Sequence, residues 1–212
     1  MKSTLLILLL TLAVSPLFAQ VKIGIKAGGL ISNVAPEGVR FNYPGASRET
    51  KPAYLAGVLL AVPLTNKFSA QAELLYSKKG MRFGYTEALG QISRATNNLH
   101  YLSVPLLLRY HPIEQLSVGL GPEVSYLLGA YHRSHIGSLP NSERYEPLDV
   151  AMNLDVQYAL LEKLSLGLRY SMGVYDVGRR YELLSFGSDE PIVSDYTFYN
   201  RSLQLSLTYW LK

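Results

Sequence analysis

The chain contains no cysteine, and after residue 19 it contains no apolar run of the length of a membrane-spanning helix. The first absence excludes a disulfide framework and a cysteine-linked lipid anchor. The second means that any membrane span must be built from strands, because only helices and closed barrels satisfy every backbone hydrogen bond in lipid. Basic clusters with interleaved aromatic residues are also missing, which argues against nucleic-acid binding.

Combinations of residues typical of a catalytic or metal site are scarce as well. His132 and His135 have a spacing seen in some metal sites, but no cysteine or suitably placed carboxylate completes a ligand set. Ser103, Ser134, His100 and His132 could meet at one rim as a hydrolase site, although no spacing favours it. We therefore expect no enzyme, no cofactor and no metal site.

The N-terminus has the pattern of a secretory signal peptide. Lys2 precedes an apolar run at residues 5–14, and Ala19 ends a segment suited to cleavage. The run is shorter than the ~20 residues that a retained membrane helix needs. We predict a removed signal peptide at 1–19 and a single exported domain at 20–212.

Alternation of apolar and polar residues runs through that domain. The clearest example is 148–160, where Leu148, Met152 and Leu154 share an apolar face opposite Asp149 and Asp155. Together with 53–63, which is apolar on both faces, eight strand-like segments can be recognised, and their connections are alternately long and short. The long connections are predicted as external loops at about 34–51, 80–98, 132–147 and 177–198. This pattern predicts an all-β fold, an eight-stranded antiparallel up-and-down transmembrane β-barrel.

The 16 tyrosines favour the same fold. A tyrosine has an apolar ring and a polar tip, and so suits a boundary between hydrocarbon and water. Six of them fall near the ends of the predicted strands. The predicted aromatic belts are Tyr76, Tyr126 and Tyr170 near the long loops, and Tyr110, Tyr158 and Tyr209 near the short turns.

The polar faces predict a filled lumen. Eight strands enclose a space just wide enough for side chains, and charges of both signs in such a space should pair. In one hairpin the apolar faces require Leu160 to oppose Leu164, and equal steps then place Asp155 opposite Arg169. We interpret the inward charges as a structural plug, with a gate or ligand site as the alternative. The predicted lumen network is Lys26, Glu73, Arg109, Glu123, Asp155 and Arg169.

Three motifs carry a resemblance to a known family. Ile23-Gly-Ile-Lys-Ala-Gly28, Gln71-Ala-Glu-Leu-Leu-Tyr-Ser-Lys-Lys-Gly80 and Tyr101-Leu-Ser-Val-Pro-Leu-Leu-Leu-Arg-Tyr110 resemble the PorT-like outer-membrane β-barrel proteins of Bacteroidetes. The resemblance implies a barrel similar in architecture to OmpA and OmpX and brings no catalytic residues. Pro105 looks like a family feature, and its place inside a strand predicts a bulge or local widening.

These observations predict a non-enzymatic barrel in the outer membrane of a Gram-negative bacterium. Outer-membrane lipid is its expected neighbour, together with a surface or envelope protein partner, in a surface interaction or an envelope and secretion assembly role. The alternatives are a narrow solute channel, an outer-membrane lipid hydrolase, and a soluble lipocalin-like barrel with its apolar faces turned inward.

Overall fold

A computed structural model describes most of the chain. No helix in the described ranges is long and apolar enough to cross a membrane. The predicted signal peptide lies outside those ranges, as does most of the predicted loop at 177–198. The described residues are 21–37, 47–49, 51–86, 92–135, 137–177, 182–183, 192–193 and 197–211.

Eight long strands build the structure, and we label them β1 to β8. Their residues alternate between apolar and polar, the pattern of an extended chain with two different surroundings. The strands are β1 Lys22–Glu37, β2 Lys51–Pro63, β3 Phe68–Thr86, β4 Ile92–Ile113, β5 Leu116–Ser134, β6 Leu148–Leu161, β7 Leu164–Gly173 and β8 Thr197–Trp210.

The sheet closes on itself. Each strand pairs antiparallel with the next, and β8 pairs with β1. A row of paired residues that starts at Phe68 in β3 passes once around the sheet and returns to β3 at Lys78, ten residues further along. With ~3.3 Å per residue and ~4.7 Å between strands, this offset corresponds to a strand tilt of roughly 40°. The fold is a closed eight-stranded antiparallel barrel, as the alternation predicts.

The side chains are distributed inside out relative to a soluble protein. Among the described residues, 26 buried side chains are polar or charged and 15 are hydrophobic. Most leucines of the strands lie outside; Leu106, for example, is 52% exposed. An apolar exterior around a polar interior requires lipid outside. The alternative of a soluble lipocalin-like barrel, which needs the opposite arrangement, is therefore wrong.

One predicted loop is shorter than expected. The interval 80–98 is predicted as a loop, but β3 continues to Thr86, β4 begins at Ile92, and the two strands stay paired up to these residues. A polar ribbon in water lacks apolar alternation, which is why its sequence does not indicate strands. β3 and β4, at 19 and 22 residues, are about twice as long as the ~9–11 residues that cross a bilayer.

Further strands widen this extension into what we call the outer sheet. Ser47–Glu49 pairs with the end of β3, and Gly137–Pro140 pairs with the end of β5. The predicted loop at 132–147 therefore holds the end of β5 and Gly137–Pro140, followed by a short 3-10 helix at Ser142–Arg144. In the predicted loop at 177–198, Glu182–Leu183 pairs with Ile192–Val193.

Two details of register differ from the prediction. Leu164 faces Leu161 and not Leu160, because a two-residue turn at 162–163 fits the twist of a hairpin better than a three-residue loop. The register shifts between Ala159 and Leu161. At Pro105 there is no bulge: the ladder to β3 is interrupted there, and the register is the same on both sides of the gap.

Candidate functional site

The middle of the lumen is filled by a chain of five charged side chains from five strands. Lys26 Nζ donates to Glu73 Oε1 at 2.7 Å. Arg169 donates two parallel hydrogen bonds to the same carboxylate, from Nη1 to Oε2 at 2.9 Å and from Nη2 to Oε1 at 2.7 Å. Arg169 Nε donates to Asp155 Oδ2 at 2.9 Å, and Arg109 Nη1 lies 2.6 Å from Asp155 Oδ1. We call Lys26, Glu73, Arg169, Asp155 and Arg109 the central ion chain.

The central ion chain is held in place by the strand register. Asp155 of β6 lies directly opposite Arg169 of β7. All five side chains are at most 5% exposed, so their contacts are made away from bulk water. Charge-assisted and bidentate hydrogen bonds of this kind are the strongest in proteins, and they offset the cost of burying the charges.

A second polar group lies next to the chain, on the long-loop side. Glu123 accepts hydrogen bonds from Lys79 at 3.1 Å, Ser125 at 3.0 Å and Asn153 at 3.0 Å. Glu123 is the one predicted lumen residue that has no place in the central ion chain. Further out, Asp149 accepts a hydrogen bond from Asn200 at 2.7 Å.

The long-loop end of the lumen contains an apolar cluster of buried side chains. Tyr145 folds back into the barrel, and its hydroxyl accepts a hydrogen bond from Asn97 at 2.9 Å. The backbone N–H of Glu146 donates to the carbonyl of Val177 at 2.9 Å and holds two external segments together. What we call the apolar lid is the buried cluster Met81, Leu99, Tyr101, Leu127, Ala130, Tyr145 and Val177.

The short-turn end is open. A cavity of about 680 Å³ lies there, and we call it the vestibule. Arg109, Ser117 and Gln157 line it as buried residues, so the central ion chain ends at its floor. Trp210 lines it near the mouth and donates its indole N–H to Ser165 Oγ at 3.2 Å. Exposed residues at its rim are Lys22, Thr65, Asn66, Glu114, Gln115 and Glu162.

The predicted belt tyrosines point away from the lumen. Tyr126, Tyr170, Tyr110, Tyr158 and Tyr209 are 41 to 54% exposed. Tyr76 is half-buried, because it lies in an aromatic row across four strands that the sequence did not reveal. The ring centroids in this row are 6.2 Å apart for Tyr54 and Tyr76, 6.0 Å for Tyr76 and His100, and 5.7 Å for His100 and Tyr131.

The residues considered for a hydrolase or metal site do not come together. Ser103 lies in the lumen, where its hydroxyl oxygen is 2.7 Å from Ser125 Oγ. His100 lies on the outer surface with Nδ1 2.5 Å from Tyr76 OH. His132 Nδ1 is 2.7 Å from Asn97 Oδ1. In the ranges that the structure describes, no three metal-ligating side chains form a cluster.

Sequence reasoning missed several lumen residues for different reasons. Lys79 continues the inward alternation of β3, so extending the pattern by one step would have included it. Asp149 was already assigned to the polar face of its strand but was not counted in the predicted lumen network. Tyr145 gave no such signal, because it reaches the lumen from a connection and meets a residue 48 positions away. The vestibule depends on side-chain volumes at the ends of several strands, which alternation does not report.

Comparison with solved structures gives several outer-membrane barrels. Ail of Yersinia pestis is 13% identical, with 91% of this chain and 99% of that chain covered and a TM-score of 0.48. Neisserial surface protein A is 9% identical, with coverages of 88% and 96% and a TM-score of 0.49. OprG of Pseudomonas aeruginosa is 12% identical, with coverages of 90% and 95% and a TM-score of 0.44.

Comparison with curated proteins gives no match. A family model described as "Outer membrane protein beta-barrel domain" matches residues 18–178, more than half of the chain. With the closed barrel and its apolar exterior already established, the chain belongs to this family of integral outer-membrane β-barrel proteins.

Proposed function

We propose that this protein is a non-enzymatic, non-conducting outer-membrane barrel that presents its outer sheet for a surface interaction or for envelope and secretion assembly. The observation that carries the proposal is that side chains fill the lumen at two levels, the central ion chain and the apolar lid. Short turns of such barrels face the periplasm and long connections face the outside. The apolar lid would then face the exterior, and the vestibule would face the periplasm.

Closure at two levels disfavours the solute channel. The central ion chain occupies the cross-section with side chains from five strands, and its arginines are each held by two residues. Opening a path would separate buried ion pairs, at about 3–5 kcal/mol for each pair broken. A solute would then still meet the apolar lid.

The outer sheet is the part of the protein available to a partner. It prolongs one side of the barrel wall beyond the aromatic row and ends in the strand Gly137–Pro140, whose four residues are all exposed. Leu139 on this strand is 68% exposed. Exposed strands with free backbone groups are a recognised mode of protein binding. The resemblance to PorT-like proteins of Bacteroidetes favours an assembly role and stays a prediction.

The non-conducting part of the proposal is tested by single-channel recording. The purified protein, inserted into planar bilayers, should give no conductance steps, whereas a general porin recorded in the same bilayers gives them. A variant that combines Arg169→Ala with Tyr145→Ala opens both levels of closure and should conduct. Regular steps from the wild-type protein would show that the lumen is a channel.

The surface role is tested by photo-crosslinking in intact cells. A photoreactive amino acid at Leu139 should give a protein adduct of defined mass, because this position is exposed on the outer sheet. The same amino acid at Leu106 is the matched control, since that side chain faces lipid in the middle of β4. Absence of protein adducts at Leu139, with a correctly folded barrel, would contradict a surface partner at this sheet.

A further inference from the structure

The vestibule combines a defined volume with buried polar groups at its floor. Its volume, about 680 Å³, lies within the range of small-molecule sites in proteins. Arg109, Gln157 and Ser117 at its floor are 2, 6 and 6% exposed. The floor is therefore a polar surface shielded from bulk water but reachable through an open mouth.

The charges beneath the floor are unevenly distributed. The central ion chain contains three cations, Lys26, Arg169 and Arg109, and two carboxylates, Glu73 and Asp155. The offsetting carboxylates, Glu123 and Asp149, lie with Lys79 on the long-loop side, away from the vestibule. The excess of positive charge is therefore on the vestibule side, and burying a charge is costly unless a counter-ion is nearby.

Arg109 is the end of that chain and is directed at the vestibule. A guanidinium has five N–H donors. Its contacts among the described residues are one with Asp155, at 2.6 Å, and two with Ser117 Oγ, at 3.2 and 2.9 Å. Asp155 is itself shared with Arg169. Arg109 thus keeps donors for a further acceptor and a charge that is only partly compensated.

Gln157 adds a second donor to the same floor. Its Nε2 is buried and has no hydrogen-bond partner among the described residues. A buried amide N–H without an acceptor is unfavourable in the folded state, so an acceptor in the vestibule would stabilise it. The carboxylates that line the vestibule, Glu114 and Glu162, are exposed at the rim and screened by solvent.

We infer that the vestibule is a binding site for a small molecule that carries an oxyanion, a carboxylate or a phosphate, and that enters from the short-turn side. The oxyanion binds between Arg109 and Gln157 and compensates the positive charge on the vestibule side of the lumen. The rest of the molecule occupies the cavity below Trp210. This site goes beyond the proposed surface role and does not depend on it.

Trp210 makes the inference directly measurable, because it is the only tryptophan in the chain and it lines the vestibule. The folded protein in neutral detergent is titrated with inorganic phosphate and, in a separate arm, with acetate. Sodium chloride at the same ionic strength is the reference. A saturable change in Trp210 emission with phosphate, acetate or both supports the site and identifies the oxyanion. A change that only follows ionic strength overturns it.

Two variants locate the binding, and a third controls for surface charge. Arg109→Met should weaken binding at least tenfold. Gln157→Met removes the side-chain amide that carries the unpartnered donor and keeps a similar volume. It should fold normally and weaken binding roughly threefold to tenfold, and it decides the matter if Arg109→Met does not fold. Lys67→Met, in the exposed turn between β2 and β3, should change nothing. Equal binding by the wild-type protein and Gln157→Met would refute the proposed position of the oxyanion.

Discussion

Glu73→Gln is the substitution that most directly tests the role of charge balance in the lumen. The amide keeps the shape of the side chain but removes the carboxylate that Lys26 and Arg169 share, at 2.7 to 2.9 Å. The central ion chain would then hold three cations and one carboxylate, Asp155. Removing one partner of a buried ion pair costs about 3–5 kcal/mol, because a charge is left uncompensated. We expect the free energy of unfolding to fall by this amount.

Arg169→Met is the matched comparison, because every charge that remains in the central ion chain keeps a partner. Lys26 still pairs with Glu73, and Arg109 still pairs with Asp155. The variant loses the three hydrogen bonds of the guanidinium, but it also removes the cost of burying that cation, which offsets much of their contribution. Since no charge is left alone, we expect a smaller loss than in Glu73→Gln, about 1–3 kcal/mol.

The measurement is equilibrium unfolding in urea of the protein folded into lipid vesicles. Emission of Trp210 follows the transition, and the change of gel mobility on boiling confirms that the barrel is lost. Lys67→Met, an exposed lysine in a turn, should lie within about 0.5 kcal/mol of wild type. The reasoning is refuted if Arg169→Met is the more damaging variant, or if Glu73→Gln matches the lysine control.

Three further predictions concern other parts of the barrel. Gly121→Ala should prevent folding, because the added Cβ would lie 1.9 Å from the carbonyl oxygen of Leu106. At Gly29 the atom nearest to an added Cβ is 4.0 Å away, so Gly29→Ala should give a barrel with the normal change of gel mobility on heating. In urea titrations, Tyr145→Ala should lower the free energy of unfolding by about 3–5 kcal/mol, because it leaves a cavity in the apolar lid. Tyr145→Phe loses only the hydrogen bond from Asn97 and should lower it by about 1 kcal/mol. Leu106→Arg should cost about 2–4 kcal/mol of folding into bilayers, and Ile113→Arg near the short turn about 0–1 kcal/mol.

The strands of this barrel could be predicted from sequence because the signal is local. Along 148–160 the polarity of each residue indicates whether it faces lipid or lumen. The requirement that both apolar faces of the hairpin point outward then pairs Asp155 with Arg169, and a register shift next to the turn preserves this pairing although the turn is shorter than predicted. The outer sheet could not be predicted, because both faces of a ribbon in water can be polar. Tyr145 could not be placed in the lumen either, since its position depends on contacts with residues far away in the sequence.

The contact between Glu73 and Arg169 was also beyond local reasoning. Their strands, β3 and β7, are not neighbours, and the two residues are 96 positions apart. Alternation predicts that both side chains point inward, but which inward charges meet across the lumen depends on strand tilt and stagger. A row of paired residues is displaced by ten residues after one turn around the barrel. This displacement depends on all eight strand pairings together and not on any one hairpin.

The lumen charges provide information on register that the apolar exterior cannot. A slip of β7 against β6 by two residues would keep every leucine facing lipid, because side chains alternate with a period of two. The lipid-facing surface therefore cannot distinguish the native register from its even-numbered neighbours. The same slip would move Arg169 away from Asp155 and bring Gly167 or Ser171 opposite the carboxylate. Because an uncompensated buried charge costs about 3–5 kcal/mol, the central ion chain selects one register among those that the leucines allow.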